Sequence, residues 1–274
     1  MDPNLQRRLQ RYGWDRAAPR YEALWGEQLA AAQGLMLKLA DLQSGQNVVD
    51  VACGTGLITF AAAKAVGPNG SVLGVDISGG MVEACVQQAQ ARGVANAAFE
   101  RMDAELLDLP AAVFDVALCA FGLMYLSDPT AALREMRRVL RPGGRMAAAI
   151  WGERARCGWA AAFAIVDAEV ASDVCPLFFQ HGAGEALAEA CKAAGFVEVE
   201  QRRLVATLNH KDDTEAYEAV FLGGPLALPW AHFDEAARTR VRQKYLAAIA
   251  PWRVGRGFQT PAEYVVVTAV APGD

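Results

Sequence analysis

Residues 48–63 read VVDVACGTGLITFAAA: an apolar run, two glycines one residue apart, and then at once a helix-forming stretch. Few folded chains can satisfy that order. A strand must turn into a helix within a few residues, and the glycines let the backbone make the turn and let a ligand come close to it. The first N–H groups of the helix then face the turn with no partners inside the helix.

The pattern repeats. Apolar runs at 48–52, 71–76, 97–102, 114–121 and 145–151 alternate with amphipathic stretches near 56–66, 79–92 and 129–140. In the last stretch Asp128 can cap, Pro129 suits the first turn, and Leu133, Met136, Val139 and Leu140 form the apolar stripe. RPGG at 141–144 is expected to end that helix by a glycine turn. Alternation at this spacing predicts right-handed crossovers and a parallel sheet covered on both faces. After Trp151 the rhythm stops. Residues 153–183 read as loop and helix, a helix near 184–194 and a strand at 196–204 resume the core, and 205–262 precede a last strand at 263–271. A helix is expected over 21–42, with Leu29, Ala32, Met36 and Leu39 on one face.

Composition narrows the class. Of 274 residues, 53% are hydrophobic and 21% charged, which excludes a disordered chain. Apolar runs stop short of the roughly 20 residues a bilayer crossing needs. MDPNLQRRLQRYGWDR carries basic residues with no apolar run behind them, so no secretory signal is read and a cytoplasmic location is expected. Net charge is -5 with both signs mixed along the chain, so no nucleic-acid face is expected. Cys53, Cys85, Cys119, Cys157, Cys175 and Cys191 are scattered without a C-x-x-C pair. They read as small buried hydrophobes rather than as disulfides or metal ligands.

Carboxylates sharpen the loop. Asp50 stands beside it, Asp76 ends the second apolar run twenty residues after Gly56, and Asp103 follows the third between Met102 and Ala104. Open parallel sheets bind ligands at these strand ends, where Asp76 can take both hydroxyls of a ribose and Asp103 an adenine amino proton. A dinucleotide loop wants a third glycine where Thr59 stands. Asp50 would also repel a pyrophosphate by on the order of several kcal/mol at contact distance. The same carboxylate attracts an ammonium and a sulfonium, which favours S-adenosylmethionine.

DVACGTG (50–56), the Asp76 strand end, RMDAE (101–105), FDVALCAFGLM (114–124) and LREMRRVLRPGG (133–144) together resemble the class I S-adenosylmethionine-dependent methyltransferases. The UbiE/COQ5-like, small-molecule branch is the most similar. The resemblance covers about 45–152. It implies a Rossmann-like, doubly wound α/β fold: seven strands, mostly parallel with an antiparallel last strand, plus a mainly helical cap from two insertions. The implied units are an N-terminal segment over the cofactor (1–44), the cofactor-binding core (45–152), cap insertions at 153–183 and 205–262, a core helix and strand (184–204) and the last strand and tail (263–274). By the resemblance Asp50, Gly54 and Gly56 hold the methionine end and Asp76 the ribose. Ile77 lies against the adenine with Asp103 and Ala104 at its edge, Cys119 ends the strand where the family meets the methionine moiety through backbone carbonyls, the segment with Tyr21 closes over the site, and Ala52, Met81 and Met102 are further cofactor-binding candidates. The loop departs from the family at Cys53, read as the place of the usual middle glycine.

Blander readings stand beside these. Asp50 could cap a turn, Asp103 could pair with an arginine, and Tyr12, Trp14 and Tyr21 could only glue a terminal helix to the core. Methyl transfer needs alignment and water exclusion more than a catalytic triad, and a base only where the acceptor keeps its proton. His181, His210 and Tyr125 are the candidate bases, with structural roles open for each; the third histidine, His232, also lies in an inserted stretch. Trp14, Trp25, Trp159, Trp230 and Trp252, with Phe121, Phe178, Phe179 and Phe221, either line an apolar acceptor pocket or form the cap's own core. The expected partner is a small acceptor, with a monomer or homodimer both open. Three rivals remain: a nicotinamide oxidoreductase, an arsenic methyltransferase using Cys157 and Cys175, and a cofactor-binding regulator without catalysis.

Overall fold

The computed structural model describes residues 3–170 and 178–273. Cys175 lies outside the described residues. The strands are β1 Asn47–Val51, β2 Ser71–Asp76, β3 Ala97–Arg101, β4 Phe114–Ala120, β5 Leu140–Trp151, β6 Val197–His210, β7 Arg253–Val254 and β8 Gly257–Val270. Seven of them form one sheet in the order β3-β2-β1-β4-β5-β8-β6, and two-residue β7 pairs with β8. β1 through β5 pair in parallel, whereas β8 runs antiparallel to both neighbours. Central strands buried on both faces need near-continuous apolar runs, and Val48, Val49, Val51, Val116, Ala117, Leu118 and Cys119 are all fully buried.

Helices α2 Leu57–Val66, α3 Gly79–Arg92, α4 Pro129–Val139 and α6 Ala186–Ala193 cover the sheet, and α1 Pro3–Ala40 runs across it. Outside the sheet lie α5 Ala161–Asp167, α7 Asp213–Phe221, α8 Ala227–His232 and α9 Glu235–Ile249, with α5 and α7 both against α9. Capping is as read: Asp128 Oδ1 accepts from Ala131 N at 2.9 Å. Among the described residues, no helix is long and apolar enough to cross a membrane.

Three elements differ from expectation. α1 begins at Pro3 rather than 21 and runs straight through Pro19. Proline cannot donate to the carbonyl of Asp15, four residues back. The helix survives because Pro19 is exposed while Ala17, Trp25, Leu29, Ala32 and Met36 are buried. RPGG does not end α4. Leu140 is already extended (φ -75°, ψ 142°), and 141–144 belong to β5, opposite a register shift between Phe114 and Val116. β6 and β8 are each 14 residues long, pairing as far as His210 with Phe258. The outer half of β6 hid in the sequence because its exposed residues alternate with half-buried Leu204 and Ala206 and buried Leu208 and His210 rather than forming an apolar run.

One buried carboxylate ties the cap to this extended pair. Glu263 of β8 is 1% exposed and accepts from Glu153 N at 3.0 Å and from Arg203 at 2.9 Å, with Arg156 at 3.3 Å. Removing it leaves Arg203 without its charge partner. Because Arg203 is partly exposed and still donates to the carbonyls of Gly182 and Gly184, Glu263→Ala is expected to destabilise the protein by about 1.5–3 kcal/mol in urea unfolding, the scale of hydrogen bonds to a charged group.

Candidate functional site

A cleft opens at the carboxyl edge of the sheet where strand order reverses between β1 and β4, the place where such sheets bind ligands. It holds about 720 Å³ of atom-free space, mouth included. Ala52 and Gly54 follow β1, Asp76 ends β2, Ile77 and Met81 follow it, and Met102, Asp103, Ala104 and Glu105 follow β3. Ala120, Phe121, Gly122 and Tyr125 come from the end of β4, while Arg7, Gln10, Trp14 and Tyr21 of α1 form the roof.

The loop after β1 needs left-handed backbone three times, at Ala52 (φ 58°), Gly54 (φ 56°) and Gly56 (φ 86°). The departure that matters is therefore at Ala52, not Cys53: alanine holds a conformation that glycine adopts at less cost. Gly122 accommodates its methyl, because a Cβ there would fall 2.5 Å from the Cβ of Ala52. Gly56 faces inward. A Cβ on it would sit 2.7 Å from the ring of Phe60 and 3.1 Å from Cys85 Sγ. Gly54 faces Tyr21, whose ring would lie 3.7 Å from such a Cβ.

Two carboxylates are buried beside this loop. Asp50 is 1% exposed; Thr59 Oγ1 donates to its Oδ2 at 2.6 Å, and Oδ1 has no partner among the described residues. Burial pushes its carboxyl up to about 7. Asp76 accepts from Gly54 N through Oδ2 and from Ser78 N through Oδ1, both at 2.9 Å. Burial still pushes it up to about 6. Thr55 Oγ1, also buried, has no partner among the described residues. The region holds more negative charge and acceptor capacity than its own residues satisfy.

Asp103 has both oxygens engaged. Glu105 N donates to Oδ1 at 2.9 Å and Arg7 Nε lies 2.8 Å from Oδ2. Arg7 also reaches Glu105, whose other oxygen accepts from Ser127 N at 2.7 Å and Asp128 N at 3.0 Å. The arginine pairing is thus present, supplied by the roof helix. Asp15 of α1 ties the same helix to α3, accepting from Ser78 Oγ at 2.6 Å and Gly80 N at 3.0 Å.

The structure brings Tyr21, Ala52, Gly54, Asp76, Ile77, Met81, Met102, Asp103, Ala104 and Tyr125 to one cleft. Asp50, Gly56 and Cys119 lie off its wall. So do His181, in the turn Gln180–Gly182, and His210, at the end of β6 opposite Phe258. Burial lowers the pKa of both histidines, keeping them neutral, and neither Nδ1 has a partner among the described residues. Cys157 Sγ points at the carbonyl of Glu263 (3.7 Å), while Cys85 and Cys53 are the thiols that converge, at 3.1 and 3.8 Å from the carbonyl of Gly54. Among the described residues no His, Cys, Asp and Glu cluster is arranged to hold a metal.

The aromatic residues fall into two groups. Trp14, Tyr21, Phe121 and Tyr125 are shared between the cleft and an adjoining narrow recess, lined also by Trp25, Leu29, Trp151, Trp159, Gly224 and Pro225 and too tight for more than about one water. Phe221 instead stacks on Trp230 at 4.9 Å and meets Tyr245 at 5.3 Å, making a core for the cap. Sequence reasoning missed Arg7, Gln10, Asp15 and Glu105. Arg7, Gln10 and Asp15 lie before residue 21, where the sequence predicts that the helix begins, so nothing placed them on α1.

Residues 48–144 match the family model of a methyltransferase domain. Nocamycin O-methyltransferase of Saccharothrix syringae is 33% identical over 202 residues, covering 69% of this chain and 72% of that one. The ubiquinone/menaquinone biosynthesis C-methyltransferase UbiE of Cellvibrio japonicus is 39% identical over 111 residues, 40% of this chain and 45% of its own, so the match spans less than half of that relative. Among solved structures, Haemonchus contortus phosphoethanolamine N-methyltransferase 2 in complex with S-adenosyl-L-methionine shares the fold with a TM-score of 0.62 at 18% identity, over 94% of this chain and 57% of that one. A strand order with one antiparallel member, a left-handed loop after β1 and a long match to a named methyltransferase agree: the chain belongs to the class I S-adenosylmethionine-dependent methyltransferases.

Proposed function

We propose that this protein transfers a methyl group from S-adenosylmethionine to a small hydrophobic or aromatic acceptor. The observation that carries the reading is a cleft at the strand ends lined by Asp76, Asp103 and Glu105 and roofed by aromatic side chains, with Asp50 buried behind its loop and one of its oxygens unpartnered among the described residues. The donor set fits this cofactor. An unpartnered Asp50 oxygen and an unpartnered Thr55 hydroxyl suit a cationic amino acid end, while a pyrophosphate there would add like charge to carboxylates already held above their usual range.

In this reading Asp50, Ala52, Gly54 and Gly56 hold the methionine end, the last two through backbone that glycine alone adopts freely. Asp76 takes the ribose hydroxyls, and Ile77, Met81, Met102 and Ala104 flank the adenine with Asp103 at its edge. Asp103 must then share the oxygen facing Arg7 with the adenine amino group. Cys119, buried in β4, acts by shaping the strand end rather than by its thiol, which burial pushes up to about 12. Bound S-adenosylmethionine supplies a methyl on a sulfonium, open to in-line displacement. Trp14 and Tyr21 shut water out from above, and residues 1–44 serve as the roof. Where the acceptor keeps a proton, Tyr125 is the base or orienting group, because it alone of the three candidates lines the cleft. The relatives named above carry an O-methyltransferase and a C-methyltransferase label, so their names support a small-molecule acceptor and leave the methylated atom open.

Asp76→Ala is expected to weaken S-adenosylmethionine binding by about 1.5–3 kcal/mol in calorimetry, the scale of hydrogen bonds to a charged group. Unchanged affinity would contradict the ribose role. The pH dependence has a definite sign. The cationic amino acid end binds the ionised form of Asp50, so affinity should fall by roughly tenfold per pH unit once the pH drops below about 7. A carboxyl whose folded pKa is raised stabilises the fold fully below its unfolded value of about 4 and loses that contribution as pH rises through its folded value. The ligand-free protein should therefore lose the contribution of these two groups as pH climbs through about 6 and 7, while the cofactor restores stability most at the higher pH. Incubation with cofactor and a panel of quinones, phenols, amines and fatty-acyl compounds, read by mass spectrometry, should give one methylated product and S-adenosylhomocysteine. Cofactor binding without turnover on any acceptor class would leave the non-catalytic rival standing.

A further inference from the structure

Three guanidinium groups meet on the outer side of the roof helix. Arg16 and Arg20 of α1 and Arg238 of α9 line a groove of about 560 Å³, open mouth included, whose other walls include apolar Leu222, Ala227 and Trp230. It shares no residue with the cofactor cleft. Trp14 faces the cleft, and two residues turn an α-helix by about 200°, which carries Arg16 round to the far side.

Charge in this groove does not balance. Arg20 lies 3.2 Å from Glu218 of α7. Arg16 is exposed and has no hydrogen-bond or ion-pair partner among the described residues. Arg238 donates from Nε to the carbonyl of Trp230 at 3.3 Å and from Nη2 to that of Ala231 at 3.4 Å, which holds it over the Trp230 ring, 6.0 Å from its centroid. Closing the last carbonyls of α8 accounts for Arg238, but not for the two arginines that α1 brings to it. Three cations against one carboxylate leave two positive charges over. The excess belongs to the helix as a whole: residues 3–21 hold five arginines and one carboxylate, Asp15, in a chain of net charge -5.

We propose that this groove binds a phosphoryl group carried on a small apolar body, and that its occupant fastens the roof helix to the cap. A phosphomonoester carries about two negative charges at neutral pH and three acceptor oxygens, which match two unbalanced guanidinium forks better than a carboxylate does. Leu222, Ala227 and Trp230 receive the apolar body. The helices already pack closely here, since a Cβ on Gly13 would lie 3.6 Å from Leu228 Cβ of α8. An occupant held by Arg16 on one side and Arg238 on the other draws α1 toward the cap and so holds the roof down over the cleft. The groove is a second site, beyond the methyl-donor reading; only its coupling to cofactor binding rests on that reading. By linkage the coupling is reciprocal: cofactor also tightens the occupant.

Calorimetry on the full chain at constant ionic strength, with phenyl phosphate and benzoate as probes, tests the site. Phenyl phosphate should bind at one site, and benzoate about tenfold more weakly or worse. Arg16→Gln should weaken phenyl phosphate by about tenfold, the scale of a lost charged hydrogen bond. Arg8→Gln removes an exposed arginine of the same helix outside the groove and should leave the affinity unchanged. Both side chains are exposed, so both variants should keep the wild-type circular dichroism. No binding of phenyl phosphate, equal weakening in the two variants, or benzoate binding as tightly overturns the proposal. Saturating phenyl phosphate should raise S-adenosylhomocysteine affinity about threefold in the wild type and not in Arg16→Gln. Unchanged cofactor affinity in the wild type overturns the coupling. Phenyl phosphate binding that needs Arg16, with no S-adenosylhomocysteine binding under either condition, would instead mark failure of the methyltransferase reading alone. Sedimentation with vesicles of phosphatidic acid in phosphatidylcholine, lost in Arg16→Gln, would assign the phosphoryl group to a lipid headgroup; phenyl phosphate binding without sedimentation assigns it to a free ester.

Discussion

Burial of negative charge at the carboxyl edge of the sheet is the constraint around which this protein is organised. Asp50 and Asp76 are removed from water beside a loop whose backbone amides satisfy only part of what they offer. Taking carboxylates into such a place is unfavourable unless something positive or hydrogen-donating arrives, and the raised pKa values of both express that cost. Thr59, where a dinucleotide fold would use glycine, supplies the one hydroxyl that reaches Asp50. The same side chain that removes the dinucleotide signature therefore holds the acidic group that favours a cationic ligand.

The roof depends on the same charges. α1 reaches the adenine side of the cleft through Arg7 on Asp103 and Glu105, and the ribose side through Asp15 on Ser78 and Gly80. Farther along, Trp25 and Gln28 bind it to Ala219 of α7 and to Tyr264 of β8. One helix thereby connects the core, the cap and the cleft. The aromatic recess lies where these three meet, with Trp25 from the helix, Trp151 from the core and Trp159 from the first insertion.

The core was legible in the sequence because a parallel sheet writes itself as apolar runs at regular intervals, and the strand-end carboxylates follow from that register. Local chemistry that needs two distant segments was not. Nothing near Glu105 signals that Arg7 will reach it, since 98 residues separate them. The left-handed turn at Ala52 was also hidden, because alanine carries no mark of such backbone and the glycine that makes room for it, Gly122, lies 70 residues later. The histidines misled for a related reason. His210 was read as lying in an insertion, yet β6 continues through it, buried like Leu208, along a stretch where every second residue is exposed and no apolar run forms.

The contact between Ala52 and Gly122 bears on how such a loop can change over time. A methyl at 52 occupies the space that a side chain at 122 would need, and Cys119 Sγ, 2.8 Å from the same point, closes the remaining side. Position 122 is therefore held to glycine from two sides, and a larger residue there needs both the methyl of Ala52 and the thiol of Cys119 to give way. An engineered change of the cleft at the end of β4 is thereby confined to the residues beside this glycine, Phe121 and Tyr125 among them.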